Sequence, residues 1–146
     1  MIRSVAAMLC VFVCQSCNST PKPVEACLNI QASPNLNLYD GNPHAVTLYL
    51  YPLKSALGFR QMAVDDLLEG GSIPNGEGTR VPITINPGEA RSLTETYSPA
   101  TRFIGVIVDY YRAPGDPEGA RKLIVEARCG RGRPSLVLQP RNVLAN

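Results

Sequence analysis

The sequence has few of the residues and motifs on which enzyme active sites are usually built. It contains one histidine, His44, and no Cys-x-x-Cys pair, which argues against a zinc site. It also lacks a Walker motif, a dinucleotide-binding fingerprint and a nucleophile elbow. His44 follows Pro43 at a predicted strand start, and we interpret it as a surface or strand-edge residue rather than a catalytic base. We therefore expect no enzyme activity, no metal site and no cofactor.

Charge of one sign is also scarce. The net charge is +2, and no basic block approaches the density expected of a nucleic-acid-binding protein. Residues 130–133, Gly-Arg-Gly-Arg, are interpreted as a solvated basic turn rather than a nucleic-acid or headgroup site. Asp65 and Asp66 are adjacent on a predicted helical turn, so they point to different faces and are expected to be solvated charges rather than a metal pair. Asp109 interrupts an apolar strand, and an outward orientation is expected for it.

An apolar stretch at residues 4–13 follows Arg3 in a short positive region. The stretch is too short to span a bilayer, which needs about 20 apolar residues, and is typical of a secretory signal peptide. The alternative is a buried N-terminal helix. A bacterial lipoprotein signal ends at a small residue before the cysteine that receives the lipid, and Ser16 followed by Cys17 fits this pattern better than Cys14, which follows Val13. We predict a signal peptide at residues 1–16 and lipidation, including palmitate, at Cys17.

Residues 17–25 are predicted to form the lipidated cysteine and a tether. Pro21 and Pro23 keep this segment extended and unpaired, as a spacer between a lipid anchor and its domain requires. The globular domain is predicted to occupy residues 26–146.

The remaining cysteines indicate a disulfide. Cys10 and Cys14 leave with the predicted signal peptide, so the mature domain keeps Cys27 and Cys129. An even pair in an exported protein is typical of a disulfide, and the alternative is two separate buried thiols. Cys129 has the core-facing parity of its predicted strand, whereas Cys27 has the opposite parity to Leu28.

Turn residues and alternating apolar positions predict the fold. Thirteen prolines and twelve glycines favour frequent turns and short strands. About seven strands, with turns every 8 to 12 residues, predict a mainly β protein, an antiparallel β-sandwich. Pro52 is expected to end the second strand, and Ser55 to cap a small helical insertion that Gly70 and Gly71 end. The apolar strand 103–111 is expected to be central and the polar strand 91–97 an edge; the other predicted strands are 26–32, 46–51, 81–85, 123–129 and 136–138.

The connection at residues 33–43 is long for a link between paired strands, where about 2 to 5 residues suffice. A long ordered loop on a rigid sandwich is a common recognition site. Leu36, Leu38 and Tyr39 are apolar or amphipathic residues in an otherwise polar loop. They are either a small satellite core, if they pack inward, or interface residues, if Leu38 or Tyr39 faces outward.

Four stretches of the chain resemble the outer-membrane lipoprotein of the type VI secretion membrane complex, the TssJ family, and they occur in the same order as in that family. The first runs from Leu28 to Asp40, followed by Gly41 and Pro43. The others are residues 46–54, ending in Tyr-Pro-Leu-Lys; residues 59–68, ending in Asp-Asp-Leu-Leu; and Asn-Pro-Gly-Glu at 86–89, followed by the apolar strand 104–111. They cover most of residues 26–138.

The resemblance implies a transthyretin-like β-sandwich with added helices, anchored in the inner leaflet of the outer membrane and facing the periplasm. It also implies binding to the periplasmic domain of the large inner-membrane component, TssM, and a role in assembling the type VI secretion membrane complex. In the family the loop between the first two strands contacts this partner, so the predicted partner-binding residues are Asn35, Leu36, Asn37, Leu38, Tyr39 and Asp40. The alternative is a lipid-anchored periplasmic β-sandwich that carries a small ligand.

Overall fold

The computed structural model describes residues 20–74, 76, 79–112 and 121–146. The predicted signal peptide and Cys17 lie outside these residues. The described part forms eight strands and two short helices, and no helix in it is long and apolar enough to cross a membrane. In chain order they are β1 Val24–Ala32, β2 Val46–Leu53, α1 Ala56–Gln61, α2 Val64–Leu68, β3 Val81–Ile85, β4 Ala90–Tyr97, β5 Phe103–Asp109, β6 Lys122–Glu126, β7 Ser135–Leu138 and β8 Val143–Ala145.

The strands form two four-stranded sheets that pack face to face. One, here called the disulfide sheet, has the order β4-β1-β7-β8, and the other, the helix-covered sheet, has the order β3-β2-β5-β6. Neighbouring strands are antiparallel except β1 and β7, which run parallel with Ile30 opposite Leu136. The predicted β-sandwich with a small helical insertion is confirmed, as are the edge position of β4 and the interior position of β5.

The main core lies between the sheets and follows the alternation of the strands. In β1 the core-facing residues are Ala26, Leu28, Ile30 and Ala32, as their period of two requires. β2 contributes Val46, Leu48 and Leu50 from the facing sheet; β5 contributes Ile104, Val106 and Val108, and β7 contributes Leu136 and Leu138.

β5 is apolar on both faces because its other face lies under the helices. Gly105 and Ile107 point away from the main core, and a Cβ at Gly105 would lie 2.5 Å from the Phe59 ring. Glycine is therefore required there by the close approach of α1. Phe59, Val64 and Leu67 pack with Tyr51 and Ile107 in a second apolar cluster.

The helical insertion is built from the predicted capping residues. The Ser55 hydroxyl accepts a hydrogen bond from the Leu57 amide at 3.3 Å, which caps α1. Gly70 follows α2 with a φ of +88°, a conformation that glycine adopts without steric cost. Arg80 donates to the carbonyl oxygens of Leu67 and Leu68 at 2.9 and 2.5 Å, so a positive charge stabilises the last carbonyls of α2.

Three predictions about strand limits were wrong. β2 continues through Pro52 to Leu53. Proline lacks a backbone N–H, but β3 pairs with β2 only as far as Leu50, so no hydrogen bond to β3 is lost at Pro52. β1 begins at Val24, within the range predicted for the tether, because Val24 and Glu25 pair with the end of β4. β8 was not predicted at all, since three residues carry too little pattern to be recognised.

The expected position of Cys129 was also wrong. β6 ends at Glu126, so Cys129 lies in the connection to β7 and not on a core-facing strand position. This connection crosses to the disulfide sheet, where the Cys27 amide donates to Arg128 and the Asn29 amide to Pro134, each at 3.0 Å. Cys129 thus reaches the outer face of β1, the face to which Cys27 points, and the two cysteines form the predicted disulfide with a Cα–Cα distance of 4.8 Å.

Candidate loop-end interaction site

The connection between β1 and β2 is folded against the end of the sandwich rather than extended into solvent. The Ser33 amide donates to the Leu138 carbonyl at 2.8 Å, which ties the start of the loop to β7. The Leu36 amide then donates to the Ser33 carbonyl, and the His44 amide donates to the Leu36 carbonyl at 2.9 Å. The two halves of the loop are therefore held together at Leu36.

Two of the predicted partner-binding residues are buried and cannot offer surface. Leu36 is fully buried and joins the main core, not a satellite cluster. Asn37 is buried beside it, and its side chain links two segments: Oδ1 accepts from the Tyr111 amide at 2.7 Å, while Nδ2 donates to the Ala45 carbonyl at 3.3 Å. Asn37 has a φ of +50°, in the left-handed region that asparagine tolerates better than most residues. Both residues position the loop.

The other four predicted residues form the outer surface of the loop. Asn35, Leu38 and Asp40 are exposed, and Tyr39 is half-buried. Tyr39 and Asn42 exchange backbone hydrogen bonds of 3.2 and 3.0 Å, closing a tight turn. Its central residues, Asp40 and Gly41, have φ values of +54° and +76°, as a two-residue hairpin turn of type I′ requires. The tip of the loop is thus defined by backbone geometry.

An aromatic stack supports this tip. The Tyr39 ring lies between the His44 ring, at a centroid distance of 3.8 Å, and the Tyr111 ring, at 4.6 Å. The planes are inclined by 13° and 27°, so both contacts are stacked. His44 was expected at a surface or strand edge, but it is half-buried, and its Nε2 atom is buried without a hydrogen-bond partner.

Contrary to the prediction of a strand at residues 103–111, which ends at Asp109 in the structure, Tyr111 lies outside a strand. It follows the end of β5, stacks on Tyr39, and leaves 54% of its surface exposed; Leu38 beside it on the loop is 36% exposed. These are two of the four large hydrophobic residues that are exposed in the described part of the chain. The sequence contained no signal for this pairing, because Tyr39 and Tyr111 lie far apart along the chain and meet only when β2 and β5 pair.

Neighbouring turns complete the same end of the molecule, here called the loop end. The Asn86 amide donates to the Glu89 carboxylate at 2.8 Å, and the Gly88 amide donates to the Ser33 carbonyl at 3.0 Å. The hydrogen bond from the Asn86 backbone is the largest effect on the pKa of Glu89 and lowers it; burial opposes this effect, and the positive charge of Arg91 lowers the pKa further. The loop end therefore includes a carboxylate that remains charged well below neutral pH.

Two buried tyrosine hydroxyls lie at opposite ends of the sandwich. Tyr110 donates to the Asn142 carbonyl at 2.7 Å at the loop end, and burial raises its pKa. Tyr97, opposite Val24, has a hydroxyl with no hydrogen-bond partner among the described residues, and burial together with the nearby charge of Glu95 raises its pKa to about 12. Both hydroxyls therefore stay protonated at physiological pH and serve packing.

The opposite end of the sandwich, here called the anchor end, carries the start of the described chain. β1 runs from this end to the loop end over nine residues, about 30 Å at the usual rise per residue. The turn 127–134 and the disulfide lie here, beside the first half of β1. The predicted lipid site, Cys17, is seven positions before Val24 in the sequence.

Two of the carboxylates considered in the sequence, those of Asp65 and Asp109, have structural partners. Arg112 bonds both oxygens of the exposed Asp65 carboxylate, at 2.8 and 2.7 Å. The buried Arg121 donates to the Asp109 carboxylate at 3.1 Å and also to the Val108 carbonyl. Within the described ranges, histidine, cysteine, aspartate and glutamate nowhere form a group of three that could hold a metal ion.

The cavities of the described part are small. One of about 210 Å³ lies between β2 and the loop after α2, lined by Tyr51, Gly71, Ile73 and Arg80. Ligand sites usually enclose roughly 300 to 1,000 Å³ with a mostly apolar lining. No feature of this cavity favours the small-ligand carrier.

Comparison with known proteins agrees with this architecture. With 21% identity and a TM-score of 0.67, 86% of the chain superposes on 96% of the type VI lipoprotein TssJ1 from Pseudomonas aeruginosa. It also matches a chain in a structure of the TssM C-terminal domain from EAEC (16% identity, TM-score 0.68, 84% of this chain and 98% of that one). A chain in a structure described as a type VI membrane complex matches with 15% identity and a TM-score of 0.73, covering 86% and 99%.

Comparison with curated protein sequences gives no match. The family model described as "Type VI secretion lipoprotein, VasD, EvfM, TssJ" matches residues 25–127, which is more than half of the chain. The family has a structural role in secretion and is not known for catalysis. The chain belongs to the type VI secretion lipoprotein family.

Proposed function

We propose that this chain is anchored in the outer membrane through a lipid on Cys17 and faces the periplasm. Its loop end binds the periplasmic domain of the inner-membrane component TssM, and this contact helps assemble the type VI secretion membrane complex. The observation that carries the proposal is the separation of the two ends: the chain enters β1 at the anchor end, and the exposed apolar residues of the loop lie at the other end of the same strand. A protein that joins two membranes needs this arrangement.

The chemistry of the loop end suits a protein partner. Leu38, which precedes Tyr39 in the loop, and Tyr111, which stacks on Tyr39, expose apolar surface, and Asp40 adds a charge at the tip. Aromatic side chains in such positions often dominate binding energy. The Asn37 bridge and the Tyr39 stack already order the loop, so binding would cost little additional conformational entropy.

The family and the matched structures support the choice of partner. The family is described as a type VI secretion lipoprotein, and two matched structures are described as the TssM C-terminal domain and a type VI membrane complex. A chain of this fold within such structures is consistent with an association between the lipoprotein and TssM.

The anchor is supported by the sequence before β1. Ser16-Cys17 fits lipoprotein processing, and Asn18 after the cysteine is compatible with outer-membrane sorting. Burial of acyl chains contributes about 0.8 kcal/mol per CH₂ group, so several chains on one cysteine hold a protein firmly.

The test compares exposed large hydrophobic residues in different places. Leu38→Ala and Tyr111→Ala remove apolar surface from the loop and the Tyr39 stack. Leu144→Ala removes it from the edge strand β8 and Leu57→Ala from α1, where the wild-type side chains are 44% and 63% exposed. We expect each loop-end variant to weaken binding of the mature lipoprotein to the TssM periplasmic domain by about 10- to 100-fold, as a hot spot of roughly 1.4 to 2.8 kcal/mol would. The two control variants should bind as the wild type does. Calorimetry gives the affinities, and circular dichroism verifies the fold of every variant.

Substitution is preferable to shortening the loop, because residues 35–42 include the buried Leu36 and Asn37, whose loss would disturb the core. Unchanged affinity in both folded loop-end variants would exclude this surface from the interface. Loss of affinity in Leu144→Ala or Leu57→Ala alone would move the interface to another face.

A further inference from the structure

We propose that the anchor end binds the headgroups of anionic phospholipids in the leaflet that holds the lipid anchor, through Arg102, Arg131 and Arg133. The inference rests on the membrane anchoring in the proposed function but not on the partner at the loop end. It revises the interpretation of residues 130–133 as a solvated turn. It also goes beyond anchoring, because it assigns a second membrane contact to the folded domain itself, with basic side chains as its recognition groups.

The turn that carries Arg131 and Arg133 is fixed close to the start of the described chain. The disulfide ties it to Cys27, and hydrogen bonds from the amides of Cys27 and Asn29 hold its two ends at Arg128 and Pro134. Gly130 and Gly132 have φ values of +89° and +71°, which glycine adopts without strain in a tight turn. The turn is thus held next to β1 by a covalent bond and two hydrogen bonds.

Arg102 lies at the same end. Its amide donates to the Leu53 carbonyl at 2.9 Å, and its carbonyl accepts from the Ala127 amide at 3.0 Å, so it sits where the β4–β5 turn meets the start of the 127–134 turn. Arg102, Arg131 and Arg133 are all exposed, and none of the three makes an ion pair with a residue that the structure describes. Arg128, by contrast, pairs with Glu126 at 2.9 Å.

The charge of the molecule is concentrated at this end. In residues 20–27, 53–55, 95–103 and 126–134 there are six basic and three acidic side chains, a net charge of +3. The whole chain has a net charge of +2, so the rest of the sequence is slightly negative. The basic residues are Lys22, Lys54, Arg102, Arg128, Arg131 and Arg133, and the acidic ones are Glu25, Glu95 and Glu126.

The tether permits this contact but does not enforce it. The seven steps from Cys17 to Val24 span about 22 Å when extended, whereas charges in physiological salt interact over roughly 8 Å. An extended tether would hold the arginines outside the range of headgroup charge. Binding therefore draws the domain down to the surface, where each arginine favours contact by about fivefold.

The guanidinium group is well matched to a lipid phosphate, because its planar donors pair with two phosphate oxygens at once. With three such contacts around the anchor point, β1 is directed away from the membrane. The loop end then projects into the periplasm, instead of lying beside the leaflet as a freely tilting domain would allow.

The experiment uses the absence of tryptophan from the chain, which makes one introduced tryptophan a unique fluorophore. Ala100→Trp places it at an exposed position in the β4–β5 turn of the anchor end, and Asn35→Trp places it at an exposed position of the loop end. The full lipidated protein is reconstituted in vesicles that contain a phospholipid with a spin-labelled headgroup, a quencher at the membrane surface, and either 30% phosphatidylglycerol or phosphatidylcholine alone. Flotation first establishes that the protein is attached to both kinds of vesicle.

We expect Trp fluorescence of the Ala100→Trp protein to be quenched in anionic vesicles and recovered in high salt. Arg131→Gln with Arg133→Gln should lower the contact equilibrium by on the order of tenfold or more. The matched pair Arg60→Gln with Arg112→Gln removes the same charge from exposed arginines elsewhere and should leave the quenching unchanged. The Asn35→Trp protein should not be quenched in either vesicle.

Equal quenching in neutral and anionic vesicles, no quenching in anionic vesicles, or no effect of the Arg131/Arg133 pair would each overturn the inference while leaving the anchor intact. Failure to float with either vesicle would instead contradict the anchor and, with it, this headgroup contact. Binding to TssM is measured separately, so a failure of the partner assignment does not affect this result.

Discussion

The two ends of the sandwich hold their backbone in different ways. At the anchor end a disulfide joins the outer face of β1 to the turn 127–134, and exposed arginines surround the junction. At the loop end no covalent bond joins the described segments; the buried Asn37 amide and the Tyr39 stack hold the loop in place. A covalent bond keeps the first strand in place whatever surrounds it, whereas polar and aromatic contacts position a surface while leaving Leu38 and Tyr111 exposed.

Among these predictions, loss of the lipid anchor should have the largest effect, which is on membrane attachment. It tests the anchor end alone. Cys17→Ser removes the predicted acyl acceptor, so the protein should move completely from the membrane fraction to the soluble periplasm. The folded domain should be unaffected, because Cys17 precedes the first strand by seven positions. Fractionation and fatty-acid labelling provide the measurement. A variant that remains in the membrane and is still labelled would show that another cysteine carries the lipid.

The disulfide should make the next largest contribution. It closes a loop with a sequence separation of 102, for which chain-entropy models give roughly 4 to 5 kcal/mol. Reduction of the mature protein should therefore lower its melting temperature markedly, and Cys27→Ala with Cys129→Ala should melt where the reduced wild type does. Differential scanning calorimetry with and without reductant measures both. As a control, the reductant should not change the melting temperature of the double variant. If oxidised and reduced wild type melted at a similar temperature, the disulfide would not contribute to stability.

Asn37 provides the corresponding test at the loop end. Asn37→Ala removes the hydrogen bonds to two part-buried backbone groups, the Tyr111 amide and the Ala45 carbonyl, at a cost of about 1 to 3 kcal/mol. Asn37→Gly loses the same bonds but accepts the φ of +50° without strain, so it should be more stable than the alanine variant by roughly 1 kcal/mol. Urea denaturation measures the difference. Equal stabilities would mean that the loop relaxes and that its left-handed conformation is not needed.

The smallest effect should come from Glu89. Its folded-state pKa is lowered, chiefly by the Asn86 backbone hydrogen bond, so its contribution is present above the ordinary value of 4.5 and is lost as the pH falls through the lower, folded value. Because the carboxylate is near the surface, the contribution should be below about 1 kcal/mol. Glu89→Gln should flatten the decline of unfolding free energy below pH 4.5, as followed by urea titrations at several pH values. An identical acid dependence in variant and wild type would assign that decline to other carboxylates.

Much of the fold could be read from local pattern. The alternation of Leu28 and Ile30, of Leu48 and Leu50, and of Ile83 and Ile85 identified strands, and Ser55 identified the helix start, because these features depend on neighbours a few residues away. The two cysteines outside the predicted signal peptide and lipid site were enough to predict their pairing by number. The loop at residues 33–43 was singled out by its length, which is also a local property.

The loop surface was predicted only in part, because exposure depends on what folds against each residue. Leu36 and Leu38 look alike in the sequence, but one joins the core and the other faces solvent. The stack of Tyr39 on Tyr111 arises only when β2 pairs with β5, and the buried Asn37 amide has a role only because the Tyr111 backbone arrives beside it.

The sequence by itself therefore determined the strands, the helix start, the cysteine pair and the position of the long loop, since each follows from composition or short-range spacing. Only the tertiary structure decided that Cys129 lies outside the preceding strand and meets Cys27, that Pro52 lies inside β2, and that the disulfide-linked turn and the loop lie at opposite ends of β1. These depend on which strands become neighbours and in which direction they run. Contacts between segments that are remote in the sequence set that outcome, and no local pattern encodes it.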